Sequence, residues 1–219
     1  MLPDSVETIG MSAFNRCSSL SELTLPNGLT QIPVCMLADC SNLQEIRLPD
    51  SVRTIGCCSF SGCGSLKQIY FPRNVEDIAT ENFDSCPQLS KFEVASDNPS
   101  FREIDGALYS NDGEILVCVP PNYPNECFVV PSHVCEIGDF AFFSSLTIAN
   151  IVIPDTVRRI GYCAFVSDRI QEIKIPKSVV EIAYDQCVGS IALREEDEES
   201  GETDIVSVFS GCPSLTKIE

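Results

Sequence analysis

The sequence contains no tryptophan, a single histidine (His133) and no run of 18 consecutive apolar residues. A bilayer-spanning helix needs about 20 such residues, so none is expected and direct membrane insertion by this chain is excluded as a reading. Basic side chains are scarce: 14 Lys and Arg stand against 32 Asp and Glu, a net charge of −18. Nucleic acids and anionic lipid surfaces are bound by positive stripes that displace counterions, so neither is an expected partner. Phosphate-binding, hydrolase-elbow, zinc-protease and dinucleotide motifs are all missing, which leaves neither an enzyme nor a cofactor to expect. His133 beside Cys135 is the one Cys/His proximity, and its place just before an extended block predicts a surface turn. Thirteen cysteines are many, but an odd count without a CxxC pair matches neither a disulfide framework nor a zinc site.

What the chain does have is a period. Pro3, Pro26, Pro49 and Pro72 stand 23 residues apart, each closing the same phrase, as in LPDSVRTIGCCSFSGCGSLKQIYFP from Leu48 to Pro72. A fixed period of this length predicts a stack of like units rather than one closed core. Within each unit an LxxIxLP block (Leu20, Leu23, Leu25; Leu43, Ile46, Leu48; Leu66, Ile69, Phe71) alternates as a short strand does. A VxxI block follows (Leu29, Ile32; Val52, Ile55; Val75, Ile78), and its β-branched residues predict a second extended segment. Five residues after each isoleucine comes an anchor (Phe14, Leu37, Phe60, Phe83, Phe142, Phe165), often behind a glycine, read as a turn leading into one short helical turn. Cys17, Cys40, Cys63 and Cys86 recur in phase, as do Cys35, Cys58 and Cys163, which predicts small buried hydrophobes rather than ligands.

The recurring Ile-x-Leu-Pro-x-Ser-Val-x-x-Ile-Gly-x-x-Ser/Ala-Phe-x-x-Cys-x-x-Leu resembles the BspA-like leucine-rich repeat, found in surface proteins of bacteria and parasitic protists. Asp97-Asn98-Pro99-Ser100-Phe101 and the stretch Ile104 to Gly113 resemble the NP-x-F and DG-x-LYS-x-DG inserts that interrupt such arrays. The resemblance implies an α/β solenoid, a right-handed stack of coils of about 23 residues, β-rich with short helical turns. It also implies a non-catalytic binding module at the cell surface, engaged in adhesion or in recognition of a host or matrix protein. The chain shows no secretion signal or anchor, so an intracellular structural scaffold is the alternative.

Along the chain, residues 1–94 read as repeats, 95–127 as a β-hairpin insert with strands near Ala107–Tyr109 and Ile115–Val119, and 128–187 as repeats again. Residues 188–208 read as an acidic loop, since Arg194 to Asp204 holds seven acids and one base, and 209–219 as a partial repeat. Both ends break off inside a unit, as in a piece of a longer array. Asp97, Asp105 and Asp112 lack calcium-loop spacing and read as turn formers. Outward strand positions form columns, one of Thr24, Arg47, Tyr70, Glu93, Val152 and Lys174, another of Glu22, Glu45, Gln68, Lys91, Asn150 and Glu172. Arg47, Lys67, Tyr70, Lys91, Glu93 and Lys174 are the candidate protein-binding surface, because Tyr and Arg dominate interface energetics.

Overall fold

A strand of two to four residues has no stability by itself, and successive repeats supply each one with its partner. The computed structural model describes residues 2–167, 169–183, 190–192 and 213–218. They form two compact units, Met1–Asn111 with Pro120–Asn122, and Asp112–Val119 with Tyr123–Glu219.

In the first unit, β1 (Glu22–Thr24), β3 (Glu45–Arg47), β5 (Gln68–Phe71) and β7 (Lys91–Val94) come from the LxxIxLP blocks and form one parallel sheet. Leu23 pairs in register with Ile46, and Ile69 with Phe92. The VxxI blocks give β2 (Gln31–Ile32), β4 (Thr54–Ile55) and β6 (Asp77–Ile78), a second parallel sheet. Proline separates the two because it lacks an N–H. Its carbonyl then closes a tight turn: the amides of Leu29, Val52 and Val75 donate to the carbonyls of Pro26, Pro49 and Pro72 at 3.0–3.2 Å. The second unit repeats the plan. There β11 (Cys127–Val129), β13 (Asn150–Val152), β15 (Glu172–Ile173) and β18 (Lys217–Ile218) form one parallel sheet. Its other sheet takes β10 (Ile115–Cys118), β12 (Glu136–Ile137), β14 (Arg159–Ile160) and β16 (Glu181–Ala183), with β17 (Ser190–Ala192) antiparallel at its edge.

Among the described residues there is no helix, so the expected short helical turns are absent and each unit is a β-solenoid. The main-chain hydrogen bonds show why. From Gly10 to Cys17 the amides of Ala13, Asn15 and Cys17 bond back three residues, to Gly10, Ser12 and Phe14. The alternate amides, of Ser12, Phe14 and Arg16, instead reach the next coil at Val34, Met36 and Ala38 (2.7–3.1 Å). Cys35, Leu37 and Asp39 do the same to Cys57, Ser59 and Ser61, and Phe140, Phe142 and Ser144 to Tyr162, Ala164 and Val166. A helix would keep all these donors to itself; here every second one builds a third ladder between coils. The geometry needs left-handed residues at two places per turn, and Ser12, Cys35, Cys58, Glu81, Phe140 and Cys163 occupy one of them at φ 48–59°. The glycine before this turn serves a different need. A Cβ on Gly56 would lie 2.7 Å from the Val34 amide nitrogen, and one on Gly161 2.4 Å from that of Asp139, so glycine admits the neighbouring coil's backbone.

The insert carries a hairpin that the repeat pattern did not reveal. β8 (Phe101–Ile104) and β9 (Ala107–Ser110) pair antiparallel around Asp105 and Gly106, with φ of 50° and 83°. Two consecutive left-handed residues make this a type I′ turn, which Asp-Gly favours. The expected insert strands are present as β9 and β10. Asn98, of the NP-x-F motif, is buried and fully satisfied: its amide donates to the Pro72 and Val75 carbonyls (2.8 and 3.0 Å) and its oxygen accepts from the Ser100 and Phe101 amides (2.8 and 2.9 Å). Near the end, Ser190–Ala192 is strand within the stretch expected as loop, while Cys187, the acidic run, Phe209 and Cys212 lie outside the described residues.

Apolar columns fill each unit. Leu43, Leu66 and Leu89 are sealed from solvent, as are Phe60, Phe71 and Phe92, and Phe60 stacks on Phe83 with centroids 6.1 Å apart. Phe142 and Phe165 form the corresponding anchor column of the second unit, 5.5 Å apart. Phe14 belongs to the same column but is only half-buried, having a coil on one side. Phe60→Ala is therefore expected to cost about 4 kcal/mol in chemical denaturation and Phe14→Ala less than half of that; equal losses would contradict the inward assignment of the column.

Candidate functional site

The outward side chains of the first sheet are placed by strand alternation: Ile46, Ile69 and Phe92 point in, so their neighbours point out. Register puts Thr24 beside Arg47, Arg47 beside Tyr70, and Tyr70 beside Glu93, giving four consecutive rungs. Arg47 is exposed and Tyr70 is 42% exposed, a large fraction for an aromatic ring in a folded unit. Lys67 stands just before β5 and, with Ser21, Glu22, Gln44, Glu45 and Gln68, lines a shallow depression of about 370 Å³. Lys91 is exposed but engaged, its Nζ donating to the Glu93 carboxylate on the same strand. Arg47, Tyr70, Lys91 and Glu93 thus lie on one sheet, with Lys67 immediately before its strand β5. Lys174, also exposed, follows β15 in the other unit, on a sheet whose outward rungs pair Val129 with Val152 and Asn150 with Glu172. Sequence columns missed Val129, which is 63% exposed, and Cys127, which is exposed too, because the insert interrupts the period just ahead of them.

The cysteines have a structural role with more content than apolar filling. Cys40, Cys63 and Cys86 are fully buried, and each thiol donates to a carbonyl 26 residues earlier: Phe14, Leu37 and Phe60, at 3.1, 3.3 and 3.1 Å. Burial pushes all three thiols up from the ordinary value, Cys86 to about 12. Cys58, half-buried, is pushed to about 12 by burial and then by its neighbours Cys57, Glu81 and Cys35. Protonated thiols are poor nucleophiles and poor metal ligands, and among the described residues no group of three His, Cys, Asp or Glu side chains is arranged to hold a metal ion. The Cys135 thiol donates to the main-chain carbonyl of His133 (3.8 Å).

In the second unit Ser145 takes the place of these cysteines, three residues after the anchor Phe142. It is 1% exposed and its hydroxyl has no hydrogen-bond partner among the described residues. The carbonyl 26 residues earlier is that of Val119, whose amide donates to Ala141 as the Phe14 amide donates to Met36. A C–S bond is longer than a C–O bond, so the thiol reaches a carbonyl that the hydroxyl does not.

No curated protein matches this chain. The profile of the BspA type leucine rich repeat region matches residues 1–113 and 124–219 in six copies. The chain belongs to that family. Among solved structures, it is similar to a leucine rich cell surface protein of Faecalibacterium prausnitzii, with 28% identity and a TM-score of 0.66 over 95% of this chain and 62% of the other. The pneumococcal vaccine antigen PcpA, at 18% identity, has the same fold with a TM-score of 0.67, over 91% of this chain and 50% of that one. A leucine-rich repeat protein of Eubacterium ventriosum matches at 22% identity and a TM-score of 0.57, over 74% and 56%. The chain thus spans from half to about three fifths of the length of these proteins.

Two outcomes are expected for this family member's thiols. A buried thiol whose folded-state pKa is raised stabilises fully below its unfolded value, and that contribution is lost as pH rises toward the folded value. Urea stability should therefore fall between about pH 9 and pH 12, by at most about 1.4 kcal/mol per pH unit for each thiol, and less steeply in Cys86→Ala; parallel slopes would remove the thiol from the account. Ser145→Cys should raise stability by about 1 kcal/mol by satisfying a buried donor, whereas a loss would mean the site has no room for sulfur.

Proposed function

We propose that this BspA-type repeat array is a non-catalytic binding module that meets a protein ligand on the strand face of its first unit, at a cell surface. The observation that carries the reading is the sequence of rungs Arg47, Tyr70 and Glu93, consecutive in register above a sealed apolar layer, with Arg47 and Tyr70 exposed and Glu93 half-buried. Leucine-rich repeat arrays are generally interaction modules because stacking produces long side-chain ladders on a rigid backbone. Rigid ladders lose little conformational entropy on binding, and Tyr and Arg contribute most per residue when desolvated. Lys91 pairs with Glu93, so its charge is partly neutralised within the sheet, and Arg47 and Lys67 are the cations offered to a partner. The similarity to a cell surface protein at 28% identity supports a surface location, and adhesion to a host or matrix protein is the role that fits it.

The test is surface plasmon resonance of the full chain against purified extracellular-matrix glycoproteins. A ligand found this way should bind the Arg47→Glu/Tyr70→Ala variant about 30-fold more weakly and Lys174→Ala unchanged. Equal binding by the double variant would move the contact away from this face.

A further inference from the structure

On the third, turn-forming side of the second unit, the chain places aromatic rings at positions where the coils of the first unit carry none. Phe140 occupies the left-handed position held elsewhere by Ser12, Cys35, Cys58, Glu81 and Cys163. A bulky ring there is strained, since a left-handed backbone suits glycine or asparagine. Phe140 meets Phe143 with centroids 5.3 Å apart at 77°, and Tyr162 of the next coil at 5.5 Å and 83°. All three rings remain partly exposed, outside the sealed column of Phe142 and Phe165. They flank that column without being sealed into it.

The surface beside them is acidic. Asp139 accepts the Tyr162 amide at 2.8 Å and lies 3.8 Å from Arg159, which also bonds Glu136 and, at 3.1 Å, Glu181. Three carboxylates around one guanidinium leave a local charge of −2, on a protein whose net charge is −18. Burial alone would favour losing the guanidinium proton, but Glu136 and its neighbours outweigh this and hold Arg159 charged above its ordinary range. Edge-to-face rings form a corner rather than the flat platform on which a sugar stacks, and a cation would be held on the ring faces that no neighbouring edge covers.

We propose that Phe140, Phe143 and Tyr162 form a docking corner for a lysine or arginine side chain of a cationic protein segment, with Glu136, Asp139 and Glu181 supplying the attracting field. This site is separate from the strand face and stands or falls independently of it. The backbone strain at Phe140 is then retained for binding, as it is at other ligand sites.

The experiment measures fluorescence anisotropy of a labelled Lys-Gly peptide with the full chain, beside its Nζ-trimethylated and Nζ-acetylated forms. The unmodified and trimethylated peptides should bind alike, because attraction to a ring face needs charge and no N–H donor, while acetylation should abolish binding. Phe140→Gly relieves the left-handed strain, so it should melt at or above the wild-type temperature and bind about fivefold more weakly; Phe143→Ala should weaken binding similarly. Undiminished binding by Phe140→Gly, no binding of any cationic peptide, or displacement of the peptide by neutral oligosaccharides would each overturn the proposal. So would a marked fall in melting temperature for Phe140→Gly, since the ring would then be a packing element.

Discussion

Hydrogen bonds between coils are the constraint on which everything else in this protein depends. Successive coils bond main chain to main chain along three lines: the LxxIxLP strands, the VxxI strands and the turn segment, where the amides of one coil reach carbonyls 22 residues ahead. Buried amides must be paired, and three ladders pair them without any element long enough to be stable alone. A coil that slipped by one residue would turn its apolar set outward on two sheets at once. Side-chain columns and hydrogen-bond ladders therefore enforce the same register.

The third ladder is where sequence reading and structure part company. Strands and anchors were legible because they depend on which residues are apolar and at what spacing: Leu23 pairs with Ile46, and Phe60 and Phe83 are buried as the 23-residue period requires. The segment from Gly10 to Cys17 reads as a helical turn because one inward anchor five residues past the isoleucine is compatible with either geometry. What decides is the destination of alternate amides, and no side chain announces it. The left-handed positions were also hidden, since Ser, Cys, Glu and Phe occupy them rather than glycine. Of the strand-face candidates, Arg47, Tyr70, Lys91 and Glu93 lie on β3, β5 and β7 and Lys67 just before β5, while the grouping with Lys174 assumes one uninterrupted phase, and Lys174 follows β15 of a different sheet. The corner of Phe140, Phe143 and Tyr162 escaped the columns altogether, because its members come from three different repeat positions that meet only through the turn ladder.

Polar groups inside the stack follow one rule, which is to do what a backbone group does elsewhere. Cys40, Cys63 and Cys86 each cap a carbonyl of the preceding coil, and the single Ser59 hydroxyl proton lies within reach of two, at Pro33 and Gly56 (2.9 and 2.6 Å). Asn82 bonds the Ser59 amide and the Ala79 carbonyl, so neighbouring coils exchange side-chain and main-chain partners at one position. Asn98 is the fullest case. Where the insert leaves the repeat pattern, its one side chain holds two carbonyls of the previous turn and two amides of the segment that follows. An aspartate there would meet both carbonyls with oxygen, so asparagine is required by donor count rather than by size.

A repeat protein offers a comparison that a globular one lacks: the same backbone position is occupied several times in one chain. Where occupants are interchangeable, as with Leu43, Leu66 and Leu89, the position reports packing. Where one occupant costs more than its equivalents, the difference needs a cause outside the repeat. Ser145 departs from the cysteine column at a cost, an orphaned hydroxyl, with nothing gained at the surface because it is buried. Phe140 departs from its column at a cost in backbone strain, but it is partly exposed and gains two aromatic neighbours beside a carboxylate cluster. The first departure has the character of drift within a tolerated core, and the second that of a surface built for contact, because only there does the costly residue present something to solvent that its equivalents do not.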